Sequence, residues 1–586
     1  MASTHPSFPS LNLSASFPIC VSSSSMIPPF QKACQLTKPK RHHVFKVACN
    51  GNNSNNNPTN RRDVLIGLGG LYGATTLSSN NHSAFAAPVT TPEPTSCVPP
   101  IIPDPSYNCC PPTPTSPVID FKFPTNNTLL RVRQPAHLVS DEYLAKYKEA
   151  VRLMKALPAD DPRNFTQQAN VHCAYCDGGY RQIGYPDREL QVHSSWLFFP
   201  FHRLYLYFYE RILGSLIGDP TFALPFWNWD HSDGMKIPSF YTDKDSPLYN
   251  PLRDARHQPP VIVDLNYDPD HDHSGEDPQK QIETNLSVMY RQVVSRGKRP
   301  SLFLGKAYRA GCPPNPGAGS LELIPHNTVH TWTGDSTQPN DEDMGALYSA
   351  ARDSIFFAHH ANVDRMWNIW KTLPGGKRRD FTDDDWLESS FLFYDENKNL
   401  VRVKVEDSLD TRKLGYDYQH VDLQWLTSKP KPKYLPALRT AARKAVGTLR
   451  FPLTLISIAR TTVKMPKVQS RISEEEKEDV LVIDLDYDLT KGTKFDVFIN
   501  DQGDDQIGPG DSEFAGSFVH LPHSHLHVDK KRSSTSFTLG ITDLLKECEA
   551  KADESITVTL VPKYGEKPVI IKGIKIKVVG QEDDHA

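Results

Sequence analysis

The chain has 586 residues, a formal net charge of −4 and a pI of about 6.6, with 38% hydrophobic, 10% aromatic and 23% charged residues. That balance fits a globular protein with room for a sizeable core and excludes the basic face that a nucleic-acid binder needs. The 22 histidines and 49 prolines carry more information: histidine is the commonest metal ligand, and dense proline implies long loops of fixed conformation.

Residues 1–60 are rich in Ser, Asn and Lys/Arg and contain no Asp or Glu, the composition of an organellar transit peptide. Arg61 and Arg62 form a twin-arginine pair ahead of a mildly apolar stretch, 64–77, too short to cross a bilayer. A small-residue cleavage pattern follows at Ala86 and Ala87. Residues 61–87 thus read as a second transfer signal, and the pair of signals predicts passage through the chloroplast stroma to the thylakoid lumen, with the twin-arginine import machinery as a partner. No later segment approaches about 20 apolar residues, so no integral membrane segment is expected in the mature chain. Removal of the presequence leaves seven cysteines: Cys97, Cys109, Cys110, Cys173, Cys176, Cys312 and Cys548. Four of them, in a Pro-rich segment and at the start of a histidine motif, suggest two disulfides with three possible pairings.

Residues 88–135 are loop-like. A helix is predicted over 140–157, with Ser140 as its cap and apolar positions recurring every three to four residues. Strongly apolar helices are predicted over 202–218 and 353–370, and a polar loop over 232–280. The basic Pro/Ala segment 428–450 reads as a linker. From 451 to 586 the chain changes to β-branched runs separated by polar turns, which predicts an antiparallel β-sandwich.

Two histidine clusters carry the chemistry. One is His172, His193 and His202; the other is His326, His330 and a member of the His359–His360 pair, which spacing alone does not separate. His326 and His330 are four apart and would share one helix face. Two sets of neutral imidazoles without carboxylate or thiolate at ligand spacing favour a copper pair over calcium, magnesium or iron–sulfur, although His-x3-His alone suits zinc equally. In FVHLPHSHLHV, His520, His523, His525 and His527 alternate. They read as an exposed polar loop rather than a copper-ferrying strand.

The strings HCAYC, HSSWLFFPFHR, PFWNWD, PHNTVH, YSAARDSIFFAHHANVDRMW, DDDWL and KFDVFIND resemble the plant polyphenol oxidases (catechol oxidase and tyrosinase), a type-3 dinuclear copper family, over the whole chain. The resemblance implies a mainly α catalytic domain, 88–427, with a four-helix bundle holding two coppers, and a C-terminal β-sandwich, 451–586, that shields the site. It implies His172, His193 and His202 on one copper and His326, His330 and His360 on the other. It also implies a thioether between Cys176 and His193 and disulfides Cys97–Cys110 and Cys109–Cys173, with Cys312 and Cys548 left as free thiols.

The expected activity is oxidation of o-diphenols to o-quinones with dioxygen, latent until a maturation protease cuts the linker. Glu322 and Asn327 match a pair that holds a water for monophenol hydroxylation. Leu347 stands where many members carry a Phe over the coppers; its blander reading is an ordinary core leucine. Two alternatives are a specialised aurone-forming flavonoid oxidase and a non-enzymatic copper oxygen carrier.

Overall fold

The computed structural model describes residues 87–99, 101, 107–124, 129–272, 274–433, 447–466, 477–501, 508–523 and 532–580. The presequence expectations, residues 434–446 of the linker, His525 and His527 lie outside them. All the described residues belong to one contact unit, 47–586. Among them, no helix is long and apolar enough to cross a membrane.

Four helical elements surround the histidines. Helix α1 (Asp141–Ala156) starts as expected, the Ser140 side chain accepting the Tyr143 N–H. Helix α2 (Phe165–Cys176) was not expected; its sequence, FTQQANVHCAYC, has little apolar periodicity, yet Asn164 caps it by accepting the Thr166 N–H at 2.8 Å. Helix α3 (Phe198–Leu216) begins a turn earlier than predicted. Pro200 falls in that first turn, where a missing N–H costs nothing. A helix over Pro278–Met289, α4, follows the polar loop and was also missed. The segment Glu322–Asn327 is wound irregularly, with Ile324 extended ahead of Pro325, and runs into the short helix α5 (Thr328–Thr333). Helix α6 (Ile355–Thr372) is shifted two residues from its predicted span because Asp353 caps its start. The bundle proper is α2, α3, the 322–333 segment and α6.

Helices α3 and α6 are joined by a buried charge network. Asp364 accepts from Arg203 at 2.5 Å and Arg133 at 3.2 Å, and from the hydroxyls of Tyr416 and Tyr418. Arg133 also pairs with Glu210 of α3 at 2.8 Å. Burial alone would push the Asp364 carboxyl up, but the two guanidinium groups and two hydroxyls hold it below its ordinary value.

The C-terminal part is a sandwich of two four-stranded antiparallel sheets. Its strands are β1 (Leu453–Leu455), β2 (Ala459–Lys464), β3 (Glu478–Asp488), β4 (Thr493–Ile499), β5 (Phe514–His520), β6 (Arg532–Gly540), β7 (Ser555–Tyr564) and β8 (Val569–Val579). The sheet orders are β6-β3-β8-β1 and β5-β4-β7-β2. Strand β5 was read as part of a polar loop. It is instead fully buried, and His520 and His523 are buried with it, so these two are not the exposed loop residues expected. Its partner surface is the helical domain. The Asn327 amide donates to the Val519 carbonyl at 3.0 Å, and the Lys494 ammonium donates to the carbonyls of Asn266 and Tyr267.

Two disulfides pin the Pro-rich arm: Cys97–Cys110, with Cα atoms 5.7 Å apart, and Cys109–Cys173, at 5.1 Å. Beside them, Tyr107 packs edge-on against Tyr348, with centroids 5.4 Å apart. Cys548 is a buried thiol in no disulfide. Cys312 is disulfide-bonded, against the expectation of a free thiol.

Replacing Asp364 with alanine would leave two buried guanidinium groups without their shared acceptor. Breaking a buried pair in this way costs about 3–5 kcal/mol. The Asp364→Ala protein should melt well below the unaltered chain, and an unchanged melting temperature would remove the network from any role in joining α3 to α6.

Candidate metal centre

Each histidine cluster is delivered by a different local structure. His172 comes from the last turn-and-a-half of α2 and His202 from the second turn of α3. His193 comes from the irregular stretch between them. His326 sits on the wound segment beyond Pro325, His330 on α5, and His359 and His360 on α6. The shared helix face expected for His326 and His330 is therefore a junction between two kinds of winding.

All the sequence-marked histidines converge. One group is His172, His193 and His202 with Cys176, and the other is His326, His330, His359 and His360. Within each group one donor atom per residue lies within 4.8 Å of every other, and all eight residues are buried. The groups adjoin: the His202 and His360 rings stack with centroids 4.2 Å apart, and His193 lies over His326 at 5.9 Å.

The hydrogen bonds reveal where the protons sit. His202 Nδ1 faces the Phe198 carbonyl at 2.8 Å, His330 Nδ1 the Met344 carbonyl at 2.8 Å, and His326 Nδ1 the Asn327 side-chain oxygen at 2.8 Å. These oxygens only accept, so each Nδ1 carries the proton and each Nε2 keeps a lone pair. The His360 Nε2 atom lies 3.3 Å from the Nε2 atoms of both His326 and His330. Three lone-pair nitrogens facing one point repel one another without a cation between them. In the other group, both nitrogens of His193 and the Nε2 of His202 have no hydrogen-bond partner despite burial. Such atoms cost free energy unless something ligates them. The donor set fits a copper ion in each group: neutral nitrogens, three or more per site, and no buried carboxylate at ligand distance.

Burial, and then repulsion from neighbouring rings, holds the histidines well below their ordinary basicity. His202 falls to about 3; His330 falls to about 4, although there the Met344 carbonyl works against burial. His172, His193, His326 and His360 are likewise held well below their ordinary value, chiefly by burial. The rings are therefore neutral and ligand-competent well into the acid range.

Around them, the buried Glu322 accepts the Ser194 N–H at 2.5 Å through Oε1, while its Oε2 has no partner. Burial pushes its carboxyl up to about 8, against the pull of the Ser194 and Gly319 backbone. Asn327 does not touch Glu322 through any described hydrogen bond: its oxygen holds His326 and its amide holds Val519. Leu347 is buried, with its N–H directed to the Pro522 carbonyl at 3.4 Å. Sequence reasoning missed the carbonyls of Phe198 and Met344, whose role lies in the backbone. It also missed Phe356, 4.2 Å from His360 and 4.8 Å from His172. Trp229, which donates to His359 at 3.1 Å, was visible only as part of the PFWNWD string.

Three segments of the chain match known domains: residues 162–373 the common central domain of tyrosinase, 380–431 the polyphenol oxidase middle domain, and 451–578 the chloroplastic polyphenol oxidase C-terminal domain. The chain is 54% identical over 566 residues to the chloroplastic polyphenol oxidase of Malus domestica, covering 92% of this chain and 94% of that one. It is 55% identical over 601 residues to polyphenol oxidase A1 of Vicia faba, covering 95% and 96%. Among solved structures, latent apple tyrosinase superposes with a TM-score of 0.75 at 55% identity, over 79% of this chain and all of that one. Latent aurone synthase does so with a TM-score of 0.78 at 43% identity, over 84% and 99%.

The depressed histidines set an acid limit for the metal-free protein. In the unfolded chain each takes up its proton near pH 6.5; in the folded chain His330 does so only at about 4 and His202 at about 3. Stability is therefore full above about pH 6.5 and is lost progressively as the pH falls towards those values. The apoprotein's melting temperature should decline steadily from pH 7 to about pH 4.5, and saturating copper should oppose that decline. A flat profile would contradict the burial of neutral rings.

Proposed function

Because the chain belongs to the plant polyphenol oxidases, we propose that it oxidises o-diphenols to o-quinones with reduction of dioxygen to water, and that it also o-hydroxylates monophenols. The observation that carries this reading is the pair of adjoining, buried, neutral histidine groups. His172, His193 and His202 hold one copper, and His326, His330 and His360 the other. When bound, a copper pair supplies two one-electron acceptors that can be reoxidised by dioxygen.

The protein's own contribution is orientation and proton handling. The carbonyls of Phe198 and Met344 and the side chain of Asn327 fix three rings with Nε2 forward, which is how outer partners set a ligand's tautomer. Glu322, with one oxygen spent on Ser194 and the other available, takes the phenol's proton through a water. A carboxyl poised near working pH is suited to that exchange. Asn327 is the second holder of that water once its amide leaves the Val519 carbonyl. Cys176, whose sulfur lies among the donor atoms of the first group, forms the thioether with His193. The bond restricts the ring through redox cycling. Its formation is a two-electron oxidation, with dioxygen as the oxidant, that takes one hydrogen from the thiol and one from a ring carbon, so a digest of the copper-loaded protein should yield a peptide joining Cys176 to His193, two mass units below the sum of the separate peptides. An alkylatable Cys176 in that protein would sink the crosslink.

The β-sandwich is the latch. Its strand β5 and the residues after it take the Asn327 amide, which the water-holding role needs, and anchor the backbone of Leu347. The presequence and the chloroplastic relatives support a chloroplast protein, delivered to the thylakoid lumen by the twin-arginine route and matured by a protease acting in the 428–450 linker.

The deciding experiment is an assay against a panel of mono- and diphenols, flavonoids included, before and after cleavage in that linker. Cleavage should raise turnover strongly, with catechols the best substrates and tyrosol-like phenols turned over after a lag. Activity confined to one flavonoid class would favour the specialised oxidase, and oxygen uptake without quinone would favour a carrier. In the cleaved enzyme, Asn327→Gly should depress monophenol turnover more than diphenol turnover, within the roughly hundred- to ten-thousand-fold that general-base help supplies. Leu347→Phe should mainly alter discrimination by substrate size. Equal loss of both activities in Asn327→Gly would mean that the residue serves His326 alone.

A further inference from the structure

Two adjacent histidines, His359 and His360, both lie in reach of the second metal position, yet three nitrogens suffice for it. We propose that Trp229 decides between them: its indole N–H fixes the His359 proton on Nε2 and so withholds that ring from the metal. The inference rests on the reading of His326, His330 and His360 as one copper's ligands.

An indole nitrogen can only donate, and Trp229 Nε1 lies 3.1 Å from His359 Nδ1. Nδ1 must therefore be the lone-pair nitrogen of His359. A neutral imidazole has a single N–H, so the proton is on Nε2, the reverse of the tautomer found on His202, His326 and His330. In His359 the nitrogen with a lone pair is already spent on the indole, and the other carries hydrogen and offers no lone pair. That Nε2 is buried and makes no hydrogen bond of ordinary geometry, the His326 backbone carbonyl being the acceptor beside the ring, and the ring stacks on that of His326 with centroids 5.3 Å apart. His360 meets the opposite conditions. Its Nε2 lies 3.3 Å from the Nε2 atoms of both His326 and His330, and no donor from the protein occupies its Nδ1.

The lock holds because Trp229 cannot drift from α6. The Trp227 N–H bonds the Ala358 carbonyl at 2.8 Å. Asp230 accepts from Asn362 at 2.9 Å, Arg365 at 3.0 Å and the Trp425 indole at 3.0 Å. The residues on both sides of Trp229 are thus tied to the helix that carries the histidine pair, and both Trp229 and His359 are fully buried. Trp229 touches no ligand of the proposed set through a described hydrogen bond; it is a positioning residue, acting by subtraction.

The test reads the tautomer first, in the unaltered metal-free protein labelled with 15N-histidine. The His359 signals are assigned by their disappearance in His359→Gln. The proposal expects protonation at Nε2; protonation at Nδ1 overturns it, and this reading needs no tryptophan variant to fold. The second arm is Trp229→Phe, which keeps an aromatic ring and loses only the donor. His359 should then show a mixture of tautomers. The second copper should be held about 10- to 100-fold more weakly against a chelator, the usual cost of losing an outer-shell partner, while the first copper's affinity stays put. A folded Trp229→Phe protein with an unchanged His359 signal and both coppers held as before would overturn the proposal. An unaltered protein that binds only one copper would defeat the dinuclear reading instead, and the tautomer measurement would stand apart from that failure.

Discussion

Asp364 lies four residues beyond His360 on α6, and Arg203 follows His202 on α3. The contact between these two side chains joins the helices that bring the two histidine groups together. Removing a carboxylate and two guanidinium groups from water carries a heavy desolvation cost, which only near-complete satisfaction offsets. Here it is nearly complete. Asp364 takes two guanidinium donors and two tyrosine hydroxyls, Arg203 stacks over Trp367 at 3.8 Å, and Arg133 over Tyr416 at 3.9 Å. A network of this kind adds little net stability but tolerates no sliding, because any shift strands a buried charge. The stacked His202 and His360 rings inherit that fixed register, and everything the site does depends on it.

The shield is attached on different terms. Its contacts with the helical domain include hydrogen bonds to backbone carbonyls, Asn327 to Val519, Leu347 to Pro522 and Lys494 to Asn266 and Tyr267, and part-exposed ion pairs, Lys298 to Asp543 and Lys563 to Asp268. Water reaches part-exposed groups of this kind once the interface opens, at less cost than parting the fully buried Asp364 pairs. The difference in bonding suits a part that can be displaced, beside a part that must not move.

What was legible in the sequence follows the range of the interactions. Helices α1, α3 and α6 announce themselves through apolar periodicity and capping, both local signals. The sandwich strands show in β-branched runs. Helix α2 escaped because its stripe of buried residues is mixed with Gln, Asn and His, and the only local clue was Asn164. The histidine positions were visible as a constellation, but the choice between His359 and His360 was not, because it turns on an indole 130 residues away in the chain. Asn327 was assigned to a water; its observed partners are His326 and Val519, and the second of these belongs to a strand that had been read as loop.

The donor set has one more consequence. Every nitrogen facing the two metal positions is neutral, burial keeps it so, and the nearest carboxyl, that of Glu322, is pushed up to about 8. A dry box without negative charge penalises the more highly charged oxidation state of whatever cation it holds. A cation held there would be favoured in its lower-charged state. The burial that disarms the histidines as bases is the same burial that would make the loaded site ready to accept electrons.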